Sequence, residues 1–206
     1  MASKSAESSQ RQALAGINRD FIALLCSVAP GQSAFGLDAA LLARLRGLPG
    51  PAREALAGAP VLLAGCRGLP PPGPGVAEAR PAALRQGPAP ECHIFATSLL
   101  AWLWQVARAD GLAVALHTGP GRDLPDWLRA AGFGDLQSAA AGAPRWLEAR
   151  FAGNPRLWPD LVRAAASGDP ELLTVTRLSA VQLALVAPRA NPKPPPARPC
   201  GGPASP

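Results

Sequence analysis

The 206-residue sequence has no Tyr, only two Lys residues and no long apolar run. Because no run approaches about 18 apolar residues, we do not expect a membrane-spanning helix. The opening residues, MASKSAESSQRQALAG, lack the apolar core that a secretory signal requires. The sequence therefore predicts a cytoplasmic protein with reduced thiols.

Residues with metal-binding or catalytic chemistry are few. The four Cys residues, at positions 26, 66, 92 and 200, form no pair with zinc-ligand spacing. With two His residues, no set of nucleophile, base and orienting group occurs at a recognised spacing. Residues 119–122 (GPGR) do not form a phosphate-binding loop, because no Gly-Lys-Ser/Thr follows them. We therefore expect no metal, no cofactor, no small-molecule ligand and no enzymatic activity.

The charge of the chain is modest and unevenly placed. The net charge is +6, but residues 187–206 hold three basic side chains and no acid. Residues 1–186 carry 17 basic and 14 acidic side chains, an excess of only +3. So small an excess does not predict the broad cationic field of non-specific DNA binding.

Most of the sequence consists of segments in which Leu and Ala recur at helical spacing. In the first such segment, residues 14–29, apolar residues recur on one face, and Asn18, Arg19 and Asp20 are predicted to lie on the other. Further helices are predicted within residues 38–48, 52–65, 93–110, 111–119, 123–132, 135–142, 144–153, 155–169 and 170–187. The residues Asp38, Asp123, Asp135 and Asp169 stand at capping positions. Since no stretch alternates as a strand does, we expect an all-α fold with almost no strand.

Pro and Gly divide this all-α chain into two small helical subdomains. We predict a disordered N-terminus (1–13), an N-terminal subdomain (14–67), a Pro/Gly-rich linker (68–92), a main helical domain (93–187) and a Pro-rich disordered tail (188–206). All five Trp residues fall within 99–166, so we expect the centre of the core there. Trp102 and Phe151 are predicted to be buried in that core.

The two ordered segments share a short echo. AGAP occurs at residues 57–60 and again 84 residues later, at 141–144. In both places a long apolar helix, a Leu-bearing helix and a Gly-containing turn come first. This order favours an internal duplication. Convergence within an Ala-rich composition is the alternative.

Residues 123–144 suit a helix-turn-helix, because Gly132 and Gly134 permit a tight turn between helices. Phosphate contacts would come from nearby arginines and a base contact from one amide, and the candidates are Arg145, Arg150, Arg156, Arg163 and Gln137. Two plainer interpretations stand beside this one. The helices could form an ordinary packed hairpin, and the arginines could form a solvated face interrupted by Glu148 and Asp160.

The spacing of landmarks in residues 99–165 is also informative. Asp110 ends an apolar helix, Gly119 follows nine residues later, and Leu128, Leu136 and an Arg-Phe pair at 150–151 come next. This order resembles the FlhD-type flagellar master transcriptional activator family. Residues 17–25 and 35–37 are similar to that family's opening helix and Leu-Gly-Ile turn.

The resemblance implies an all-helical dimerising regulator that binds promoter DNA together with a partner subunit and activates flagellar genes. Two tandem copies would make an intramolecular pseudo-dimer. The Cys that joins protomers in some members falls at Leu147 here, so that link is not implied. Two hypotheses follow: a FlhD-like transcriptional regulator, or a non-enzymatic helical protein–protein interaction module such as an adaptor or assembly factor. The expected partner is a protein subunit or a second copy, with promoter DNA in the first case.

Overall fold

A computed structural model describes residues 2–67, 69, 90–119 and 123–186. Within these ranges the chain forms ten helices and two short strands. The helices are α1 (Ala2–Ser27), α2 (Ala39–Arg46), α3 (Gly50–Ala57), α4 (Pro90–Ala109), α5 (Gly111–Thr118), α6 (Asp123–Ala130), α7 (Phe133–Ala141), α8 (Ala143–Trp146), α9 (Leu157–Ser167) and α10 (Pro170–Val186). The strands are β1 (Ala64–Cys66) and β2 (Leu147–Ala149). The predicted all-α class is confirmed.

The first helix is longer than the sequence pattern predicts. α1 begins at Ala2, whereas the pattern predicts disorder for residues 1–13, so that prediction is wrong over residues 2–13. Residues 8–13 are exposed, and burial starts at Leu14. Polar residues such as these can continue a helix that is already nucleated by an apolar face further along. α4 likewise begins at Pro90, inside the predicted linker, while the rest of that linker and the tail 188–206 lie outside the described residues.

Asn18 is buried, which corrects its predicted place on the solvent side of α1. None of its surface is exposed, and its Nδ2 donates to the carbonyls of Ala57, Ala59 and Val61 at 3.2, 3.3 and 3.0 Å. Its Oδ1 accepts the backbone N–H of Leu63 at 2.9 Å. One amide therefore holds the irregular segment between α3 and β1, where the backbone has no ladder of its own.

Two predicted helices are cut short by a strand pair. The helix expected through residue 65 ends at Ala57, and the one expected through residue 153 is limited to α8. β1 and β2 then pair antiparallel, with Gly65 opposite Glu148. Neither β1 nor β2 can be stable alone, because each strand finds its hydrogen-bond partner in a distant part of the sequence. Local periodicity could not reveal this pairing.

Helix caps are predicted correctly at two of four sites. Asp38 accepts the N–H of Leu41 at 2.7 Å, and Asp169 accepts the N–H groups of Glu171 and Leu172. The other two residues, Asp123 and Asp135, are expected to precede their helices, but Asp123 is the first residue of α6. The prediction for Asp135 is wrong as well. Instead, α7 starts two residues earlier, and Asp135 in its first turn accepts the N–H of Gly132 at 2.8 Å.

The first half of the chain, residues 2–67, and the second half, residues 90–119 and 123–186, share one hydrophobic core. Phe21 of α1 lies at its centre, with ring centroids of Phe35, Phe95 and Trp158 at 6.0, 5.3 and 6.5 Å. Four of the five Trp side chains are buried, and Trp104 is half-buried. The prediction for Phe151 is wrong, since its side chain is half-buried and its backbone is left-handed, with φ at 62°.

The elements of the halves correspond at the spacing of the AGAP echo. A shift of 84 residues maps α2 onto α6, and α3 and β1 onto α7 and β2 to within one residue. The same shift exchanges the strand pair Ala64–Ala149 with the pair Gly65–Glu148. Such a self-consistent pairing is what a duplicated unit would give, and the duplication stays a prediction. Within the part of the chain that the structure describes, no helix combines the length and apolarity needed to cross a bilayer.

Candidate functional site

The helix-turn-helix candidate consists of α6 and α7, which are joined by Ala131 and Gly132 and both pack on α4. α7 packs on α4 through Leu136 and Ala140, which are buried. Its outward side presents Gln137 and Phe133, the latter 62% exposed. A helix that reads base edges needs several polar side chains. This one offers few, so the geometry fits packing as well as it fits DNA recognition.

Three of the candidate arginines reach solvent. Arg145 on α8 and Arg156 immediately before α9 are exposed. Arg163 is exposed too, but its Nη2 lies 2.7 Å from Oδ1 of Asp160. Residues seven apart lie on the same side of a helix, so Arg156, Asp160 and Arg163 share a stripe. The acid inside that stripe reduces its positive charge.

Arg150 is buried, so its prediction as a phosphate contact is wrong. Only 6% of its surface is exposed, and its Nη2 donates to the carbonyl of Leu116 at 2.7 Å. The guanidinium carbon lies 4.6 Å from the ring centroid of Phe151, and the backbone oxygen accepts the indole N–H of Trp158 at 2.7 Å. Burial lowers the pKa of this guanidinium to about 10. Arg150 therefore ties the strand pair to α5 rather than facing solvent.

Around Arg150 lies a polar cluster with Cys66 and His117. Burial raises the pKa of the Cys66 thiol to about 12. Burial, assisted by the charge of Arg150, lowers the pKa of His117 to about 4. The ring of Trp102 meets His117 edge-on, with centroids 5.0 Å apart. At neutral pH the thiol and the imidazole are both uncharged, so this cluster holds no thiolate nucleophile.

An open cleft of 410 Å³ lies between α5 and α6. It is lined by Asp110, Gly111, Leu112, Ala115, Pro125, Asp126 and Arg129. The polar groups are largely paired within the chain: Arg129 contacts Asp126 at 2.6 Å, and Asp110 accepts the N–H of Leu112 at 2.9 Å. Among the residues that the structure describes, no three His, Cys, Asp or Glu side chains gather as a metal site would require.

Five of the eight exposed large hydrophobic side chains among the described residues lie on α10, and sequence reasoning missed them. Leu173, Ala180 and Ala184 face inward, and the helix packs mainly on α9. The α10 stripe, on the outward side, has these exposed fractions: Leu172 37%, Val175 61%, Leu178 55%, Leu185 70% and Val186 77%. Apolar residues on both sides of one helix are the signal that could have revealed it, because a surface helix usually has one apolar stripe.

No family model, no curated protein sequence and no solved structure matches this chain. The resemblance to the FlhD-type family therefore stays a prediction.

Proposed function

We propose that this protein is a helical protein–protein interaction module, and that the α10 stripe is its docking surface. The observation that carries the proposal is the exposure of five aliphatic side chains on one helix. Contiguous apolar surface on a soluble domain marks interaction sites, because leaving it in water is unfavourable. Charged residues are sparse on the same helix, which has only Glu171 and Arg177.

The candidate DNA surface offers weaker support for its own role. Of the four arginines, one is buried and one is paired with an acid. Phosphate contacts dominate the affinity of proteins for DNA, so the two remaining arginines would contribute little. The interaction module is thus the function that the geometry supports best.

A pull-down from extract of the native cells tests the proposal. The bait is the full chain, with and without nuclease, beside a variant carrying Leu178→Glu and Leu185→Glu. We expect nuclease-resistant capture that the variant loses, because a buried carboxylate without a partner is unfavourable in an interface. Ala130→Glu, which adds a charge at an exposed site on α6, is the matched control and retains capture. Equal capture by the stripe variant and the control contradicts the proposal.

A FlhD-like transcriptional regulator of flagellar or motility genes is the second candidate, acting on promoter DNA with a partner subunit. The succession of α6 and α7 across a two-residue connection favours it, and so do the exposed Arg145 and Arg156. Removing one phosphate-binding side chain should lower the slope of log affinity against log salt by about one. We therefore expect replacing Arg145 and Arg156 by Gln to flatten the salt dependence by about two units. Arg150→Gln is not part of this test, because its side chain is buried.

Residues 187–206 offer a rival source of DNA affinity, since they include Arg189, Lys193 and Arg198. A chain ending at Ala187 separates the two sources. If its DNA affinity equals that of the full chain and depends on Arg145 and Arg156, the regulator hypothesis gains. If all affinity is lost, the helices do not touch DNA and this second candidate fails.

A further inference from the structure

The outward side of α10 has the spacing of a helix-pairing surface. Val175 and Gln182 are seven residues apart, as are Leu178 and Leu185, and the intervals along the helix are three, four and three. These four side chains are all exposed, and together they form the seam of the α10 stripe. Such a seven-residue repeat keeps one narrow seam facing a second helix, as in coiled coils. The surface is therefore shaped for a helix rather than for an extended peptide.

We propose that the α10 stripe binds the α10 stripe of a second copy of this chain, with the two helices antiparallel. This inference rests on the proposed function, because it assigns the occupant of the same surface. The surface lies outside residues 99–165 and so does not depend on the resemblance to the FlhD-type family. The occupant follows from the distribution of charge along and beyond the helix.

Between Leu172 and Val186 the only charged side chain is Arg177. It is turned inward, where it donates to the carbonyl of Ala55. The seam itself is therefore uncharged. A partner selected by charge would find nothing to pair with there, whereas an identical neutral surface fits it.

The ends of the helix decide the direction. Asp169 and Glu171 stand at its start, and residues 187–206 after its end contain three basic residues and no acid. Antiparallel pairing brings the acidic start of one helix towards the end of the other, after which the sequence is basic. Parallel pairing would place the two acidic starts together, which is unfavourable. Opposed helix dipoles favour the antiparallel arrangement as well.

Antiparallel pairing also gives complementary layers. Val175 of one copy meets Leu185 of the other, and Leu178 meets Gln182, with the same contacts repeated across the two-fold axis. Larger side chains thus face smaller or polar ones in every layer. A single polar residue such as Gln182 within an apolar seam favours one register over its neighbours.

Sedimentation equilibrium of the full chain between about 1 and 100 µM tests the inference, because a seam of two repeats gives weak association. We expect the mass to rise from the 21.1 kDa monomer towards twice that value. Leu178→Glu and Leu185→Glu should each abolish the rise, while Ala130→Glu leaves it unchanged. Far-UV circular dichroism of each variant checks that the helices are intact. A monomer at every concentration, or a dimer that both stripe variants retain, overturns the inference.

A charge exchange tests the direction. Glu171→Arg and Arg189→Glu should each weaken self-association about threefold, and the double variant should restore it. A double variant weaker than either single one overturns the antiparallel arrangement. The pull-down from cell extract gives a separate answer. A monomeric chain that still captures another protein through the α10 stripe overturns this inference and leaves the proposed function standing.

Discussion

In both halves of the molecule the chain follows a similar path into the strand pair, but different side chains stabilise that path in each half. In the first half, the buried amide of Asn18 binds four backbone groups between Ala57 and Leu63. At the equivalent position of the second half, 84 residues later, stands Trp102, which packs against His117. There the indole of Trp146 donates to the carbonyl of Ala139, and Arg150 reaches Leu116.

This difference shows that two segments can follow similar backbone paths although different side-chain contacts stabilise them. The first half satisfies its irregular segment with one side chain, so the loss of that side chain affects several hydrogen bonds together. The second half spreads the task over aromatic rings and a guanidinium. We therefore expect the first half to be more sensitive to a single substitution, and the second half alone to respond to mildly acidic pH.

The largest effect is expected at Asn18. Asn18→Leu keeps the approximate volume but leaves one N–H and several carbonyls buried without partners, which should cost about 4 kcal/mol of unfolding free energy. Urea denaturation monitored by fluorescence measures this loss. Trp102→Phe, at the equivalent position, is the matched comparison and should cost about 1 kcal/mol. A cost below about 1 kcal/mol for Asn18→Leu would show that the amide does not fasten the first half.

Within the second half, burial separates two aromatic residues. Trp102→Ala should cost about 3 kcal/mol because its ring is buried, and Phe151→Ala only about 1 kcal/mol because its ring is half-buried. Phe151 is left-handed, so Phe151→Gly should be more stable than Phe151→Ala by about 1 kcal/mol. Thermal melting of the three variants tests this order. If the Gly variant melts below the Ala variant, the backbone at position 151 is not left-handed.

Mild acid should destabilise the protein through His117. Its pKa is lowered from 6.5 to about 4 in the folded chain, so the unfolded chain binds the proton first as the pH falls. Stability is therefore complete above about pH 6.5 and decreases towards pH 4, by at most about 3 kcal/mol. Urea denaturation at several pH values should show a shallower dependence for His117→Gln. An unchanged dependence in this window would place the acid sensitivity elsewhere.

The smallest effect is expected at the ion pair of Arg19 and Glu54 in the first half. The two groups are 2.7 Å apart but about half of each side chain is exposed. The hydrogen bond from Arg19 lowers the pKa of Glu54, so any contribution of the pair would decrease as the pH falls from the ordinary pKa of a carboxyl towards the lowered one. Solvent screens such pairs. Glu54→Gln should melt with the parent at pH 7, and a clear drop would show that this pair fastens α1 to α3.

Part of the fold can be predicted from the local sequence. The helical class, the caps at Asp38 and Asp169 and the burial of most Trp residues follow from local spacing and hydrophobicity. Arg145, Arg156 and Arg163 are exposed, as both interpretations of these arginines require. Arg150 is buried instead, and its contact with Leu116, which is distant in the sequence, is one that no local pattern indicates.

The sequence by itself determined which segments are helical, since 3.6-residue periodicity and capping are properties of neighbouring residues. Only the tertiary structure decided the strand pair, the burial of Asn18 and Arg150 and the exposure of the α10 stripe. Each of these depends on groups far apart in the chain: β1 needs β2, Asn18 needs the segment after α3, and α10 has one apolar side covered and the other uncovered. Hydrophobicity indicates that a side chain can be buried, and packing alone decides whether a partner surface is there to bury it.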